Sequence, residues 1–129
     1  MWLPILGSDE RAVADEASEM FKGIDVPQFW DGETRLGREI GRGLGVEGWV
    51  AWDIYLFYPP DAVWTDAGPP APEAVLAQAA GVVVGAKGTL PPRGDASELP
   101  PELRERVDVV GKQEELTELL AQVAARPAK

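Results

Sequence analysis

Two aspartates and three arginines have the residue types and surroundings that could do chemistry. Asp53 stands inside Trp49-Val50-Ala51-Trp52-Asp53-Ile54-Tyr55-Leu56-Phe57-Tyr58, an apolar and aromatic run in which an acid is out of place. Apolar surroundings favour the protonated carboxyl, so an acid held there without a partner acquires the raised pKa of a general acid. The structural alternative is pairing with an arginine, for which Arg38 and Arg42 are candidates, or with a tyrosine hydroxyl or backbone donor. Asp31 follows Phe29 and Trp30 and precedes Gly32. That position suits a general base or a hard-cation ligand, and equally a helix cap, which is the commoner role. Arg35, Arg38 and Arg42 recur at i, i+3 and i+7 and so share one helical face. Their planar forks could take a carboxylate or another anion; pairing with Asp9, Glu16, Glu19 or Glu39 is the alternative. Trp30 and Trp52, each placed just before one of the aspartates, complete the candidate binding set.

What the chain lacks narrows the chemistry further. Its 129 residues include no cysteine and no histidine. Disulfides, thiol redox chemistry, cysteine nucleophiles, Ser-His-Asp triads and Cys/His metal sites are thereby excluded. The spacing implies no cofactor. Asp plus Glu number 22 against 12 Lys plus Arg, a net charge of -10, so nucleic acid and anionic membrane surfaces are not expected partners. Gly43 to Gly48 matches G-x-G-x-x-G letter by letter, but the dinucleotide fingerprint needs a strand before it and a helix after. Here the order is reversed, and the glycines read as a helix end followed by a turn.

The elements that must position these residues follow from periodicity and punctuation. Residues 2–6 read as a short buried strand, 9–22 as an amphipathic helix capped by Ser8, and 26–30 as an edge strand weakened by Pro27. Residues 33–44 form a second helix, in which Gly37, Gly41 and Gly45 lie four apart and admit a neighbouring backbone at close range. The run 49–58 is the central strand, and 62–64 returns as its antiparallel partner. A short helix is expected over 73–80, a strand over 81–85, a Pro/Gly-punctuated linker over 88–101 and weak helix over 102–107. An amphipathic helix over 113–125 carries a Leu116, Leu119, Leu120, Val123 stripe. Together these give an α/β protein with a small mixed sheet and flanking helices, divided into a domain over 1–85 and a linker with a C-terminal helix over 86–129. Met1 to Leu6 runs straight into Asp9, Glu10 and Arg11, which is no export signal, and the longest apolar stretch is too short to cross a bilayer. A cytoplasmic location is the expectation.

Phe29-Trp30-Asp31-Gly32-Glu33, then Leu36-Gly37 and Ile40-Gly41, resembles the segment where redoxin and peroxiredoxin domains run from a short strand through an Asp into a helix. The strand 50–58, its Pro59-Pro60-Asp61 turn and Val63-Trp64 resemble the closing hairpin of the same thioredoxin-like family. The likeness covers about residues 2–80 and implies a truncated thioredoxin-like arrangement lacking the first strand and the reactive-cysteine segment. The family's thiol chemistry therefore does not carry over. One reading is a non-catalytic binding or structural module that forms a homo-oligomer or takes a protein partner through the sheet edge left unpaired. A second is the body of a redoxin-like oxidoreductase whose catalytic segment is missing from this chain. A third is a carboxylate-based hydrolase using Asp31 and Asp53, for which 129 residues leave little room for a sugar cleft.

Overall fold

Val82-Val83-Val84 places apolar side chains alternately on the two faces of a strand, so any sheet containing it must be covered on both sides. The computed structural model describes residues 1–126 and resolves two compact units, Met1–Trp52 and Asp53–Lys129. The valines lie in the second, in β3 (Val82–Ala86). β3 joins β1 (Ile54–Phe57), β2 (Ala74–Ala79) and β4 (Val107–Lys112) in a sheet of order β1-β2-β3-β4. Val83 packs with Ala74, Leu76, Leu90 and Val110 beneath Leu119 and Val123 of α4 (Leu116–Ala124). Val84 packs on the other face with Val109 and Leu99. Leu99 is held between a single 3-10 turn, Ala96–Glu98, and α3 (Pro101–Arg104). Burying a Val or Leu of this kind stabilises by about 1.5–3 kcal/mol.

The sheet departs from the sequence expectation in several places. All three strand pairings are antiparallel, so the sheet is not mixed. The central strand expected over 49–58 is only Ile54–Phe57, because Asp53 takes a left-handed φ of 51° and ends the extended run. Its partner is not 62–64 but β2, in a stretch read as helix. Ala, Leu and Gln are good helix formers, and pairing on both sides overrides that weak preference. β4 falls in and beyond the stretch read as weak helix. A register shift between Val83 and Val84 accommodates Val110 there as the extra residue of a bulge. The segment read as a linker buries Leu90 and Leu99. Position 85/86, the expected domain boundary, lies within β3, and the compact unit begins instead at Asp53.

In the first unit, α1 (Arg11–Ser18) runs on into a 3-10 turn, Glu19–Phe21. Ser8 does not cap it. Asp9 instead turns back and accepts from the Ile5 and Leu6 N–H groups at 2.8 and 2.7 Å, which hold its carboxyl below the ordinary value. The strands expected at 2–6 and 26–30 reduce to one parallel bridge between Trp2 and Trp30. In that bridge Trp2 N donates to Phe29 O at 2.7 Å, and Asp31 N donates to Trp2 O at 2.8 Å. α2 (Arg35–Gly43) forms where the periodicity places it. It ends in a Schellman motif: Gly45, at φ 81°, donates to Arg42 O, and Val46 donates to Gly41 O. The G-x-G-x-x-G letters are thus a helix end. Gly37 and Gly41 do admit a backbone: Ala51 N donates to Gly37 O at 2.9 Å, and a Cβ at Gly41 would collide with the Trp49 carbonyl oxygen. Among the described residues no helix is long and apolar enough to cross a membrane.

Two measurements check this account. Gly41→Ala forces α2 away from residues 49–51 and is expected to cost about 1–3 kcal/mol. Gly43→Ala, with open space at its Cβ, is expected to be neutral or stabilising. Urea titration followed by tryptophan emission reads the contrast, since four of the five tryptophans lie in the first unit. Separately, the Ser97 hydroxyl and then its N–H hold the Asp95 carboxyl below its ordinary 3.8, with Arg104 adding a weaker pull. A lowered folded value means a contribution fully present above pH 3.8 and lost as pH falls through the folded value. Asp95→Ala should therefore lower the urea midpoint at pH 6, and the gap from wild type should close toward pH 2.5.

Candidate functional site

The residues singled out from sequence are mostly engaged in local structure. Asp31 is the N-terminal cap of α2: its Oδ1 accepts from Arg35 N at 2.9 Å and its Oδ2 from Leu36 N and Gly37 N at 2.9 and 3.2 Å. Three of the helix's four unsatisfied N–H groups are thereby answered by one carboxylate. Arg35 Nε donates to Glu33 at 2.8 Å, and Arg42 Nη1 donates to Glu39 at 2.8 Å with Glu47 at 3.8 Å. Two members of the basic stripe are therefore neutralised by acids close in sequence. Arg38 is exposed on the same helix. Trp30 is half-buried with its indole over Gly32, where a Cβ would lie 2.7 Å from Trp30 Nε1. Trp52 is 50% exposed.

Asp53 belongs to the second unit and is exposed rather than enclosed by aromatics. Its Oδ1 accepts from Gln78 Nε2 at 3.0 Å, and its carbonyl accepts from Gln78 N at 3.2 Å. Gln78 Oε1 in turn accepts from Gln113 Nε2. Asp53 thus opens β1 through a neutral amide ladder, and its partner is Gln78 rather than Arg38 or Arg42. Asp31 and Asp53 each have structural partners inside their own unit.

The second unit contains an apolar cleft of about 180 Å³ between the sheet and α4. Strand alternation brings Leu76 of β2 and Val110 of β4 to its floor, and the i, i+4 pair Leu119 and Val123 forms its roof. Leu90 closes one side. It can approach because Gly85 has no side chain: a Cβ there would stand 2.6 Å from Leu90 Cδ1. Gln122, Arg93 and Arg126 add the polar lining. Arg93 is held twice on β4, its backbone N donating to Val109 O at 2.9 Å and its Nε donating to Val110 O. Arg126 follows the carbonyl end of α4, a favourable place for a cation, and its Nη1 reaches Thr89 O at 3.4 Å. Among the described residues neither guanidinium has a carboxylate within ion-pair distance.

A second hollow of about 310 Å³ adjoins the first and shares Val123 and Arg126 with it. Tyr58 lines this hollow, and burial pushes its phenol above the ordinary value of 10.0. Asp108 is 3% exposed, and its oxygens meet Lys87 Nζ at 3.6 Å and Gly88 N at 3.1 Å. The sequence reading missed Arg93 and Arg126. Arg93 sits in what looked like a linker, and Arg126 trails a helix in an apparently solvated position. The legible signal was the α4 stripe, which supplies Leu119 and Val123, two of the six apolar lining residues. No family model matches the chain, and no curated protein or solved structure matches it either.

Replacing Asp31 with Ala leaves three α2 N–H groups without their acceptor. The expected cost is about 0.5–2 kcal/mol in urea titrations, with Asp31→Asn retaining part of the cap.

Proposed function

We propose that the chain is a non-catalytic binding module that receives a small ligand in the cleft between the sheet and α4. The observation that carries this reading is the pair of arginines at an apolar cleft, both without an acidic partner among the described residues, in a chain of net charge -10. Acids outnumber bases, so a cation kept clear of them retains its donors for something else. By contrast Asp31 answers helix N–H groups, Asp53 answers Gln78, and Arg35 and Arg42 answer glutamates. A concave, mostly apolar site with a few convergent polar groups is the usual form of a small-molecule site.

Self-association is a second reading, supported by the sheet edges. β4 has its Val109 carbonyl taken by Arg93 N, whereas β1 stands at the other end of the strand order. A second copy would add its own strand beside β1. Kinship with the redoxin-type domains belongs to the proposal only through the sequence motifs of residues 2–80, and neither reading depends on it.

The test is a methyl-detected NMR titration of the full chain with benzyl alcohol, a neutral probe of about the cleft's size. Shifts should concentrate on the methyls of Leu76, Leu90, Val110, Leu119 and Val123. Absent shifts, or shifts spread over exposed apolar residues such as Val63 and Leu6, would overturn the cleft as a binding site. Light scattering on a dilution series of the same samples reads the second proposal, with a concentration-independent 13.9 kDa species counting against it.

A further inference from the structure

We infer that the ligand of this cleft is a small monocarboxylate whose body is one ring or a branched alkyl group of about six carbons. The inference rests on the cleft being a binding site and adds the chemical class of what it takes.

Size sets the body. An enclosed apolar cavity of about 150 Å³ holds a benzene ring, and the cleft here is about 180 Å³. A single ring or its alkyl equivalent fills it. Floor and roof are leucine and valine side chains, so water gains little there and a polar body would lose its hydrogen bonds on entry.

Charge sets the head. Arg93 spends its Nε on Val110 O, which leaves both terminal nitrogens with donors to offer. Arg126 commits one donor to Thr89 O at 3.4 Å, a long contact that a stronger acceptor would displace. A guanidinium presents parallel N–H groups that match the two oxygens of a carboxylate. Most of the other cations are engaged; Arg38 and Lys112 also have no carboxylate within 4 Å among the described residues, but neither lines this cleft. Arg11, Lys22, Arg35, Arg42 and Lys87 each lie within 4 Å of a carboxylate, and Arg104 is bonded to the Leu99 and Ser97 carbonyls. Gln122, also on the lining, donates one Nε2 hydrogen to Glu118 Oε1 at 2.9 Å, which leaves its second hydrogen for the same head or for a substituent beside it. An inorganic anion would meet the arginines but leave the apolar lining unused.

The experiment compares phenylacetate, benzyl alcohol and benzylamine on the full chain by NMR titration at low salt. These share a ring and differ in the charge of the head. Phenylacetate should bind about tenfold more tightly than benzyl alcohol, the gain expected of a charge-assisted contact at a partly wet site, and benzylamine should bind most weakly. Arg126→Gln should erase most of the carboxylate preference, read as the ratio of phenylacetate to benzyl alcohol affinity within the same variant. Arg93→Gln, checked for an intact spectrum, should do the same from the other side. If phenylacetate and benzyl alcohol bind equally to wild type, the ligand class is wrong and the cleft stands. If neither binds, both proposals fall. A preference that survives Arg126→Gln and Arg93→Gln overturns the assignment of the head group.

Discussion

Covering both faces of one strand is the constraint on which the second unit depends. Val83 is fully buried and Val84 nearly so, yet they point in opposite directions, and a bare four-stranded sheet buries neither. One face is answered by α4, a regular helix with a simple apolar stripe. The other is answered by Leu99, held by a 3-10 turn and a four-residue helix. The irregular segment 88–104 is therefore as much a part of the core as the strands. Its prolines and glycines reflect the path the chain takes around an edge, and Arg93 bonds the outer carbonyls of β4 along that path. A two-turn helix with buried Leu119 and Val123 leaves a gap beside Leu90, and that gap is the cleft.

How much of this was legible in the sequence depended on whether the deciding interaction was local. β3, α1, α2 and α4 were legible because valine runs, apolar spacing and stop signals act over a few residues. The close approach at Gly37 and Gly41 was legible for the same reason. β2 was not. Ala74-Val75-Leu76-Ala77-Gln78-Ala79 suits a helix, and it is a strand only because β1 and β3 pair with it. The β2–β3 turn was also hidden: Ala80 and Gly81 both have positive φ, 49° and 80°. That is the geometry normally announced by Asn-Gly, and an alanine in the first position gives no such signal. In β4, Asp108 and Gly111 interrupt the apolar pattern, each for a tertiary reason. Asp108 meets Lys87 and Gly88, and Gly111 makes room for the Glu115 carboxylate.

The same distinction governs the site. An arginine cluster in an acidic protein makes an anion site only where local acids leave it free, and the stripe with the clearest spacing, Arg35, Arg38 and Arg42, is paired at two of its three positions. Glu39 lies one helical turn before Arg42, and Glu33 and Glu47, just outside α2, supply the other local partners. Arg126 is the contrary case, since no acid lies within several residues of it in sequence. Arg93 has Asp95 nearby, but that carboxylate is turned to Ser97. Whether a cation is neutralised thus depends on the backbone path as well as on composition.

A net charge of -10 does not by itself exclude an anionic ligand, because exposed charges act only at short range. At physiological ionic strength, exposed charges more than about 8 Å apart are largely screened, so the potential at the cleft is set by the groups on its walls and those immediately beside them. The walls carry two arginines and one glutamine around apolar side chains, and the adjoining carboxylates are Glu118, bonded to Gln122, and Glu115, beside Gly111 and Leu119. Neutralising either arginine with a nearby glutamate would add little stability, because surface ion pairs contribute about 0–1 kcal/mol. Leaving both without a carboxylate among the described residues therefore costs the fold little, while each retains donors where solvent is partly excluded. Asp108, on the neighbouring β4 segment, shows the opposite case. A carboxylate 3% exposed must be partnered, and it is, by Lys87 and Gly88. Burial makes pairing obligatory for Asp108, and exposure leaves it optional for Arg93 and Arg126.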